Sequence, residues 1–511
     1  MIGLIMVTSA LVAQNLFART YGGTGNECAY SLIVTADGGY AVAGGTTSYG
    51  AGLDDFLVIK LSSTGNPEWA RSFGGTNMDV GYSIIQTTDG GYAVGGETRS
   101  FVAGRDVNID FLVLKLSSTG NLEWARTFGG PNEDFLRSII QTSDGGFATV
   151  GSTRSYGAGL DDFLVIKLSS TGNLEWARSF GGTSYDDAFS VIQTTDGGYV
   201  VTGSTVNFGA GGWDFLILKL SSTGNLEWAR TFGGPNGDFS SLPAIQTADN
   251  GFMFAGQTEN FGAGGWDFLL IKLSSAGTLE WAKTLGGAGD ESVRSISLTA
   301  DGGFAVAGWT LSFGAGSYDL LMAKLSSAGT LEWARTFGGT DWDDAFSMVR
   351  AQDGGYTIAG WTQSFGASGQ DILIIRLDTV GNYPDCVELC SPTTTSVSLS
   401  AHSPAGGAIC SPSTASPNPT SGTPGLTIAD VCPSQGISEE KRAGSAPGIT
   451  CSPVPGGVLF MSPEAMAIKI YSADGRVAYS GNLERGENLI GLDQGVYLWQ
   501  AGAYRGKAAV R

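Results

Sequence analysis

Histidine is almost absent from this sequence, and its single copy, His402, lies outside the repeated part of the chain. A Ser-His-Asp triad, a histidine general base and a histidine-ligated metal are therefore excluded from the repeats. The phosphate-cradling pattern Gly-x-x-x-x-Gly-Lys-Ser/Thr is missing too. Carboxylates, tyrosines and lysines are the groups left for chemistry in the repeats.

Positive charge and long apolar runs are also scarce. The formal charge of −20 gives a surface that repels nucleic-acid phosphates, so no nucleic-acid partner is expected. The apolar run Ile2–Ala13 is short for a membrane helix and typical of a signal-peptide core. We therefore expect residues 1–13 to be a signal peptide and no membrane span to follow in the mature chain. The mature protein is expected to be secreted or held on the outer cell surface.

Cysteine is rare and unevenly placed. Five of the six cysteines lie in or beside a stretch rich in Ser, Thr and Pro, residues 386–457. In an exported chain such cysteines favour disulfides, whereas their irregular spacing and the lone His402 disfavour zinc. We expect this stretch to be a disordered or cross-linked linker, because its composition does not suit a packed core.

Glycine is abundant, with 79 residues, and most of it belongs to a repeat of about fifty residues. The turn Asp-Gly-Gly-Tyr/Phe, or its variant DNGF, begins at Asp37, Asp89, Asp144, Asp196, Asp249, Asp301 and Asp353. Each copy holds four strand-like runs separated by turns. Seven copies of four antiparallel strands predict an all-β fold, a seven-bladed β-propeller over residues 14–385.

The order of strands within a blade follows from side-chain chemistry. The run before the Asp-Gly-Gly turn is apolar and small, so we expect it to line the channel. The run with the phrase LEWAR carries Glu and Arg and is expected to be outermost. The last copy lacks this run, while the chain begins with an orphan one at Leu16–Gly23. The sequence therefore predicts that the N-terminal strand completes the last blade and closes the ring.

Two further patterns resemble known families. The phrase STGNLEW resembles the blade motif of quinoprotein-type propellers, which implies a tryptophan wedged between neighbouring blades. The repeats as a whole resemble extracellular propellers with Asp-Gly-Gly-Tyr turns, a group that implies architecture and little activity.

The C-terminal residues 458–511 predict a small Ig-like β-sandwich. Their elements IKIYSADGRVAYSG and LDQGVYLWQ and the basic ending Lys507 to Arg511 resemble the sorting domain of the type IX (Por) secretion system. This resemblance implies the type IX machinery as a partner and export across the outer membrane.

Carboxylates recur at two places in every copy. One set lies about ten residues before the Asp-Gly-Gly turn: Glu27, Asp79, Asp134, Asp186, Asp238, Glu291 and Asp343. The other set opens the third strand-like run: Asp55, Asp110, Asp162, Asp214, Asp267, Asp319 and Asp371. Sevenfold repetition favours loop Asp residues that accept backbone hydrogen bonds. Paired carboxylates that bind calcium are the alternative, and no other cofactor is expected.

Function is expected where the symmetry breaks. Extra aromatic residues cluster in the last four copies, near the loops that carry the acids: Trp213, Trp266, Trp309, Trp342, Trp361 and Tyr318. Trp rings beside acids are suited to gripping sugars, whereas inter-blade packing is the ordinary alternative.

These observations favour a non-catalytic binding module for polysaccharide or another surface molecule. A glycoside hydrolase remains an alternative and requires two carboxylates about 5 Å or about 6.5–9.5 Å apart in a cleft. A quinoprotein-like dehydrogenase is a weaker alternative, because the blades have no adjacent cysteine pair and there is no eighth repeat.

Overall fold

The computed structural model describes residues 16–102, 108–239, 244–366 and 369–383. Beyond residue 383 it describes the backbone of the strands given below, together with Tyr479 and Ser480. The proposed signal peptide lies outside the described residues. Backbone contacts divide the chain into two units, residues 1–434 and 435–511.

Seven antiparallel sheets form a seven-bladed β-propeller in the first unit, as the repeat predicts. The inner strands are Glu27–Val34, Asp79–Gln86, Asp134–Gln141, Asp186–Gln193, Glu291–Leu298 and Asp343–Arg350, with Asp238–Phe239 and Ile245–Gln246 in blade 5. The second strands are Tyr40–Thr46, Tyr92–Thr98, Phe147–Thr153, Tyr199–Thr205, Phe252–Thr258, Phe304–Thr310 and Tyr356–Thr362.

The third and fourth strands complete the predicted meander. The third strands are Asp55–Leu61, Asp110–Leu116, Asp162–Leu168, Asp214–Leu220, Asp267–Leu273, Asp319–Leu325 and Asp371–Leu377. The fourth strands are Pro67–Gly74, Leu122–Gly129, Leu174–Phe180, Leu226–Gly233, Leu279–Gly286, Leu331–Phe337 and, for blade 7, Phe17–Gly22. The third strands are buried along their whole length because both of their faces pack against neighbouring blades.

The ring closes through the N-terminal strand. Residues Phe17–Tyr21 pair antiparallel with Ile372–Arg376, with Phe17 opposite Arg376 and Tyr21 opposite Ile372. This pairing confirms the closure inferred from the orphan first strand. The first segment of the propeller thus supplies the fourth strand of blade 7, and main-chain pairing joins the two ends of the ring.

The tryptophan of the outer phrase packs between blades, as its resemblance to quinoprotein-type blades implies. Trp69 of blade 1 lies edge-on to Tyr92 of blade 2, with ring centroids 5.6 Å apart. Gly120, in the last turn of blade 2, lies so close to this indole that a methyl group there would lie 2.8 Å from the ring. At the closure, Phe17 replaces the tryptophan and contacts Tyr40 at 6.1 Å.

The fourth strand is not the outermost one, which corrects the predicted strand order. Seven short strands between residues 388 and 430 each pair with the fourth strand of one blade. From blade 6 backwards to blade 1 and then blade 7 they are Glu388–Leu389, Thr393–Ser396, Ser400–His402, Ala408–Ile409, Ser413–Ala415, Thr420–Gly422 and Thr427–Asp430. We call these seven strands the belt.

The belt also changes the interpretation of the predicted linker. Part of the stretch that its composition suggested to be disordered or cross-linked adds a fifth strand to every blade. An extended segment can do this without apolar side chains, because the unpaired edge of each fourth strand offers main-chain donors and acceptors. The predicted cross-links between cysteines of this stretch lie outside the described side chains.

The strands that the structure describes in the second unit form two antiparallel sheets. One contains Thr450–Val454, Gly457–Ser462 and Gly486–Gly491, and the other contains Met466–Ser472, Val477–Leu483, Gly495–Ala501 and Tyr504–Val510. Strands therefore form where the alternating pattern predicts them, while the Ig-like sandwich arrangement stays a prediction. In the part of the chain that the structure describes, no helix is long and apolar enough to cross a membrane.

Candidate ligand-binding face

The loops that join second to third strands, and each fourth strand to the next blade, lie on one side of the ring. We call this side the upper face. The hairpins after the inner and third strands lie on the opposite, lower face. Both predicted sets of acids and all six predicted aromatic residues lie at or near the upper face.

The first acidic set is fully buried in the upper loops. In blade 2, Asp79 accepts hydrogen bonds from the Gly75 N–H at 2.7 Å, from the Ser100 hydroxyl at 2.6 Å and from the Thr98 hydroxyl. The other six members are also completely inaccessible to solvent. These side chains therefore hold the loops in place through their hydrogen bonds.

The second acidic set lies beside the first across each blade junction. Asp55 of blade 1 accepts hydrogen bonds through Oδ2 from the Ala51 and Gly52 N–H groups, at 2.9 and 3.1 Å. A methyl group on Gly74 would overlap Asp55 Oδ1 and lie 3.0 Å from Asp79 Oδ2. Glycine is therefore required where the two carboxylates converge on the backbone.

Burial changes the protonation of several of these acids. Desolvation raises the pKa of Asp186 and Asp238 to about 6, although hydrogen bonds from the loops oppose the shift. Desolvation raises the pKa of Asp267 to about 6 as well, and the neighbouring Glu291 adds to the effect. Among the described residues, no group of three Asp, Glu, Cys or His side chains is arranged to hold a metal ion.

A group of charged residues on the lower face was missed by sequence reasoning. Lys115, on the third strand of blade 2, is buried and pairs with Asp89 at 2.9 Å and with Glu123 at 3.0 Å. The hydrogen bond from Thr87, which outweighs partial burial, and the ammonium of Lys115 lower the pKa of Asp89 to about 2. The same Lys–Asp–Glu arrangement recurs in the first six blades.

Blade 7 departs from this arrangement in a way that follows from the closure. Arg376 replaces the lysine and pairs with Asp353. The N-terminal strand has Leu16 where the other fourth strands have glutamate. The sequence contains a signal for the whole group, because the Lys-Leu that ends the third strand, the Asp of the DGG or DNG turn and the Glu-Trp of the fourth strand recur together in the first six copies.

Four aromatic rings follow one another across the junction of blades 4 and 5. Tyr185 lies 6.2 Å from Trp213, Trp213 lies 5.1 Å from Phe239, and Phe239 lies 5.4 Å from Trp266, all between ring centroids. Trp213 and Trp266 are half-buried, and Tyr185 is exposed. The structure thus brings together two of the predicted residues, and it adds Tyr185 and Phe239.

A second aromatic group spans blades 6 and 7. Tyr318 lies between Trp309 at 4.3 Å and Trp342 at 5.0 Å, with both rings edge-on to it. Trp342 is 47% exposed, unlike the fully buried aromatic residues of the blades. Trp361 is half-buried at the upper end of its strand, opposite Asp344 and Ile372, and no ring contact joins it to this group among the described residues.

The buried acids hold the backbone beneath these aromatic rings. The Asp238 N–H donates to the Trp213 carbonyl at 2.6 Å, and the Glu291 N–H donates to the Trp266 carbonyl at 2.6 Å. The Asp343 N–H donates to the Tyr318 carbonyl at 2.8 Å. Because the side chains of these acids are themselves fixed by the loops, the rings are preorganised on a rigid part of the fold.

Comparisons with known proteins find distant similarities. No protein family profile matches the chain. It is 24% identical over 258 residues to the regulatory protein FlaEY of Caulobacter vibrioides, a match that covers 46% of this chain and 26% of that protein. The chain thus spans about a quarter of the length of this curated relative.

The similar solved structures are also distant. A protein of unknown function from Dyadobacter fermentans is 12% identical with a TM-score of 0.38, covering 73% of this chain and 98% of the other. PorZ of Porphyromonas gingivalis, an essential surface component of the type IX secretion system, is 10% identical with a TM-score of 0.24, covering 94% and 81%. A bat-virus N11 neuraminidase-like protein is 12% identical with a TM-score of 0.35, covering 70% and 90%. Similarities of this size carry no argument about function.

Proposed function

We propose that the protein is an exported, non-catalytic binding protein that holds polysaccharide on the upper face of its propeller. The observation that carries this proposal is the pair of aromatic groups in blades 4 to 7. Trp342 and Tyr185 in these groups are exposed. Trp213 and Trp266 are half-buried, as is the repeated Trp69, which packs against a ring of the next blade. Partly exposed rings of this kind stack on the apolar faces of sugar rings.

A polar group suited to sugar hydroxyls adjoins the second aromatic group in the chain. Asp341 is exposed and directly precedes Trp342. The repeated acids support hydrolysis less well than binding. All fourteen are buried, and both sets accept hydrogen bonds from the loops. Binding without cleavage is therefore the function that this geometry supports best.

Export through the type IX system is the second part of the proposal. It is supported by the resemblance of residues 458–511 to the sorting domain and by the strands found in that segment. A chain placed on the outer surface by this route would meet extracellular glycans or surface proteins as its partners.

A glycan array probed with the full-length chain tests the binding proposal. We expect retention on a subset of polysaccharides and loss of that retention in Trp342→Ala. Leu53→Ala is the matched control, because Leu53 is 70% exposed on the upper face of blade 1, away from the aromatic groups. The proposal is wrong if the array stays blank, or if both variants bind as the unmodified chain does.

A further inference from the structure

The inner strands enclose a cavity of about 410 Å³ in the central channel of the propeller. In blades 1 to 4, 6 and 7 the inner strand has a β-bulge near its middle, so that one residue has no direct partner on the second strand. In blade 1 the register moves from Ala29–Gly44 to Ser31–Ala43, and Tyr30 is the extra residue. A bulge re-aims its side chain, and here it points into the channel.

The bulged residues differ among blades, unlike the acids and serines beside them. They are Arg294 in blade 6, Phe346 in blade 7, Tyr30 in blade 1, Tyr82 in blade 2, Arg137 in blade 3 and Phe189 in blade 4. The next position is serine in each of these blades, and its role is structural. Ser31, for example, accepts the Ile84 N–H of the following blade at 3.2 Å.

Five of these residues form a continuous arc with an arginine at each end. The Arg294 guanidinium lies 5.2 Å from the Phe346 ring centroid, and the Arg137 guanidinium lies 4.8 Å from that of Tyr82. Between these ends, Tyr30 lies 5.0 Å from both Phe346 and Tyr82. The arc therefore combines a flat apolar wall with two cationic ends.

The two arginines differ in how well their charge is compensated. Arg137 pairs with Glu97 at 2.6 Å, and Glu97 is buried, so this end of the arc is neutralised. Within the described residues, no ion pair is recorded for Arg294, and its buried Nε has no hydrogen-bond acceptor.

Asp344 does not neutralise Arg294 fully. Burial raises the pKa of Asp344 to about 7, against the opposing effect of the Arg294 charge. Near neutral pH this carboxyl is therefore protonated in a substantial share of molecules. A buried guanidinium donor without an acceptor costs free energy, which a bound anion would recover.

We infer that the channel binds a small organic carboxylate, whose flat body lies against Tyr30 and Phe346 while its carboxylate pairs with Arg294. A planar guanidinium binds a carboxylate through two parallel hydrogen bonds, and aromatic walls favour a flat apolar body. The cavity lies within the size range of small-molecule sites. This site is separate from the aromatic groups of the upper face and does not depend on the binding of polysaccharide there.

Titration calorimetry of the full-length chain tests this site with benzoate and with benzamide, its neutral counterpart of the same shape. We expect benzoate to bind to one site per chain and benzamide to bind at least about tenfold more weakly. Arg294→Gln should weaken benzoate binding at least about tenfold, and Arg294→Lys should restore part of it. Arg350→Gln, an exposed arginine of blade 7, is the control and should bind as the unmodified chain does.

Several results would overturn the inference. They are the absence of benzoate binding, equal binding of benzoate and benzamide, and unchanged benzoate binding in Arg294→Gln. Inorganic phosphate that binds as tightly as benzoate would show a general anion site without the aromatic contribution, which also contradicts it. The comparison of the two ligands on the unmodified chain decides the matter even if a variant fails to fold. A chain carrying Trp213→Ala and Trp266→Ala should keep its benzoate site, which separates this site from the upper face.

Discussion

The backbone N–H of Asp238 donates to the carbonyl of Trp213 at 2.6 Å and thereby joins blade 5 to blade 4. The Asp238 side chain accepts the Gly234 N–H at 2.7 Å and the Asn260 side-chain amide at 2.6 Å. One buried acid therefore fixes both a blade junction and the backbone beneath an aromatic ring. The acids that recur in all seven blades therefore support the backbone that carries the aromatic groups found in only some blades.

The first prediction follows from this contact. Asp238→Ala should lower the free energy of unfolding by at least about 2 kcal/mol, because it leaves buried donors of the loop without an acceptor. Asp341→Ala, at an exposed position of the same face, should change it by less than about 0.5 kcal/mol. Chemical denaturation of both variants measures the difference, and equal stability would show that the buried acid is not a structural anchor.

Stability should rise as the solution is acidified moderately. The pKa of Asp134, Asp186, Asp238 and Asp267 is raised to about 6 by burial, above the usual value for aspartate. Between about pH 4 and about pH 6 the folded chain therefore binds more protons than the unfolded chain, and stability is lost as the pH rises through this window. The melting temperature should be higher at about pH 5 than at about pH 7.5.

A variant isolates the groups responsible for this pH dependence. Asp186→Asn combined with Asp238→Asn removes two of the titrating carboxyls, so its melting temperature should depend less on pH than that of the unmodified chain. A melting temperature of the unmodified chain that falls steadily from about pH 7.5 to about pH 5 would contradict the assignment.

The belt should protect the outer edges of the blades. A chain that ends at residue 383 exposes the unpaired main-chain groups of seven fourth strands, whereas a chain that ends at residue 434 keeps them paired. We expect the shorter chain to melt at a lower temperature and to self-associate. Light scattering and thermal unfolding compare the two, and identical behaviour would mean that the belt does not contribute to the fold.

The C-terminal unit should direct export. In a host with the type IX machinery, removal of residues 458–511 should leave the propeller in the periplasm, whereas the complete chain should reach the surface or the medium. Cell fractionation with an antibody to the propeller measures this. A host that lacks the machinery is the control, and equal export of both chains from the competent host would refute the proposed route.

Calcium removal tests the alternative hypothesis that the paired acids bind calcium. Because the buried carboxylates accept hydrogen bonds from their own loops, a chelator should leave the melting temperature unchanged. A drop on addition of chelator that added calcium reverses would support metal binding by the paired acids.

Much of the propeller could be predicted because each blade repeats the same local chemistry. The turns after the inner strands and the tryptophan equivalent to Trp69 each have a sequence signature that recurs along the chain. The orphan strand at Leu16–Gly23 could be recognised because it resembles the fourth strands of the other copies. The belt has no such signature, since it pairs through the main chain and its Ser/Thr/Pro-rich sequence resembles a linker.

The candidate sites, too, could be predicted from the sequence only in part. The aromatic positions Trp213 and Trp342 stand out when the copies are compared, so their placement on the upper face follows from strand order. Their ring-to-ring contacts do not, because those depend on how neighbouring blades twist. The arc from Arg294 to Arg137 depends on bulges within the inner strands, and a bulge changes the direction of one side chain without changing the length of the repeat.

The measurement that tests the central claim most directly combines binding and stability in the variant carrying Trp213→Ala and Trp266→Ala. Its affinity for a polysaccharide retained by the unmodified chain is measured by calorimetry, and its melting temperature is measured beside it. If the rings form a binding platform, the affinity falls by at least about tenfold, while the melting temperature stays nearly unchanged. A large fall in melting temperature, of the kind expected for buried rings that cost about 3–5 kcal/mol on truncation, combined with unchanged affinity would show that these rings are packing and contradict the account.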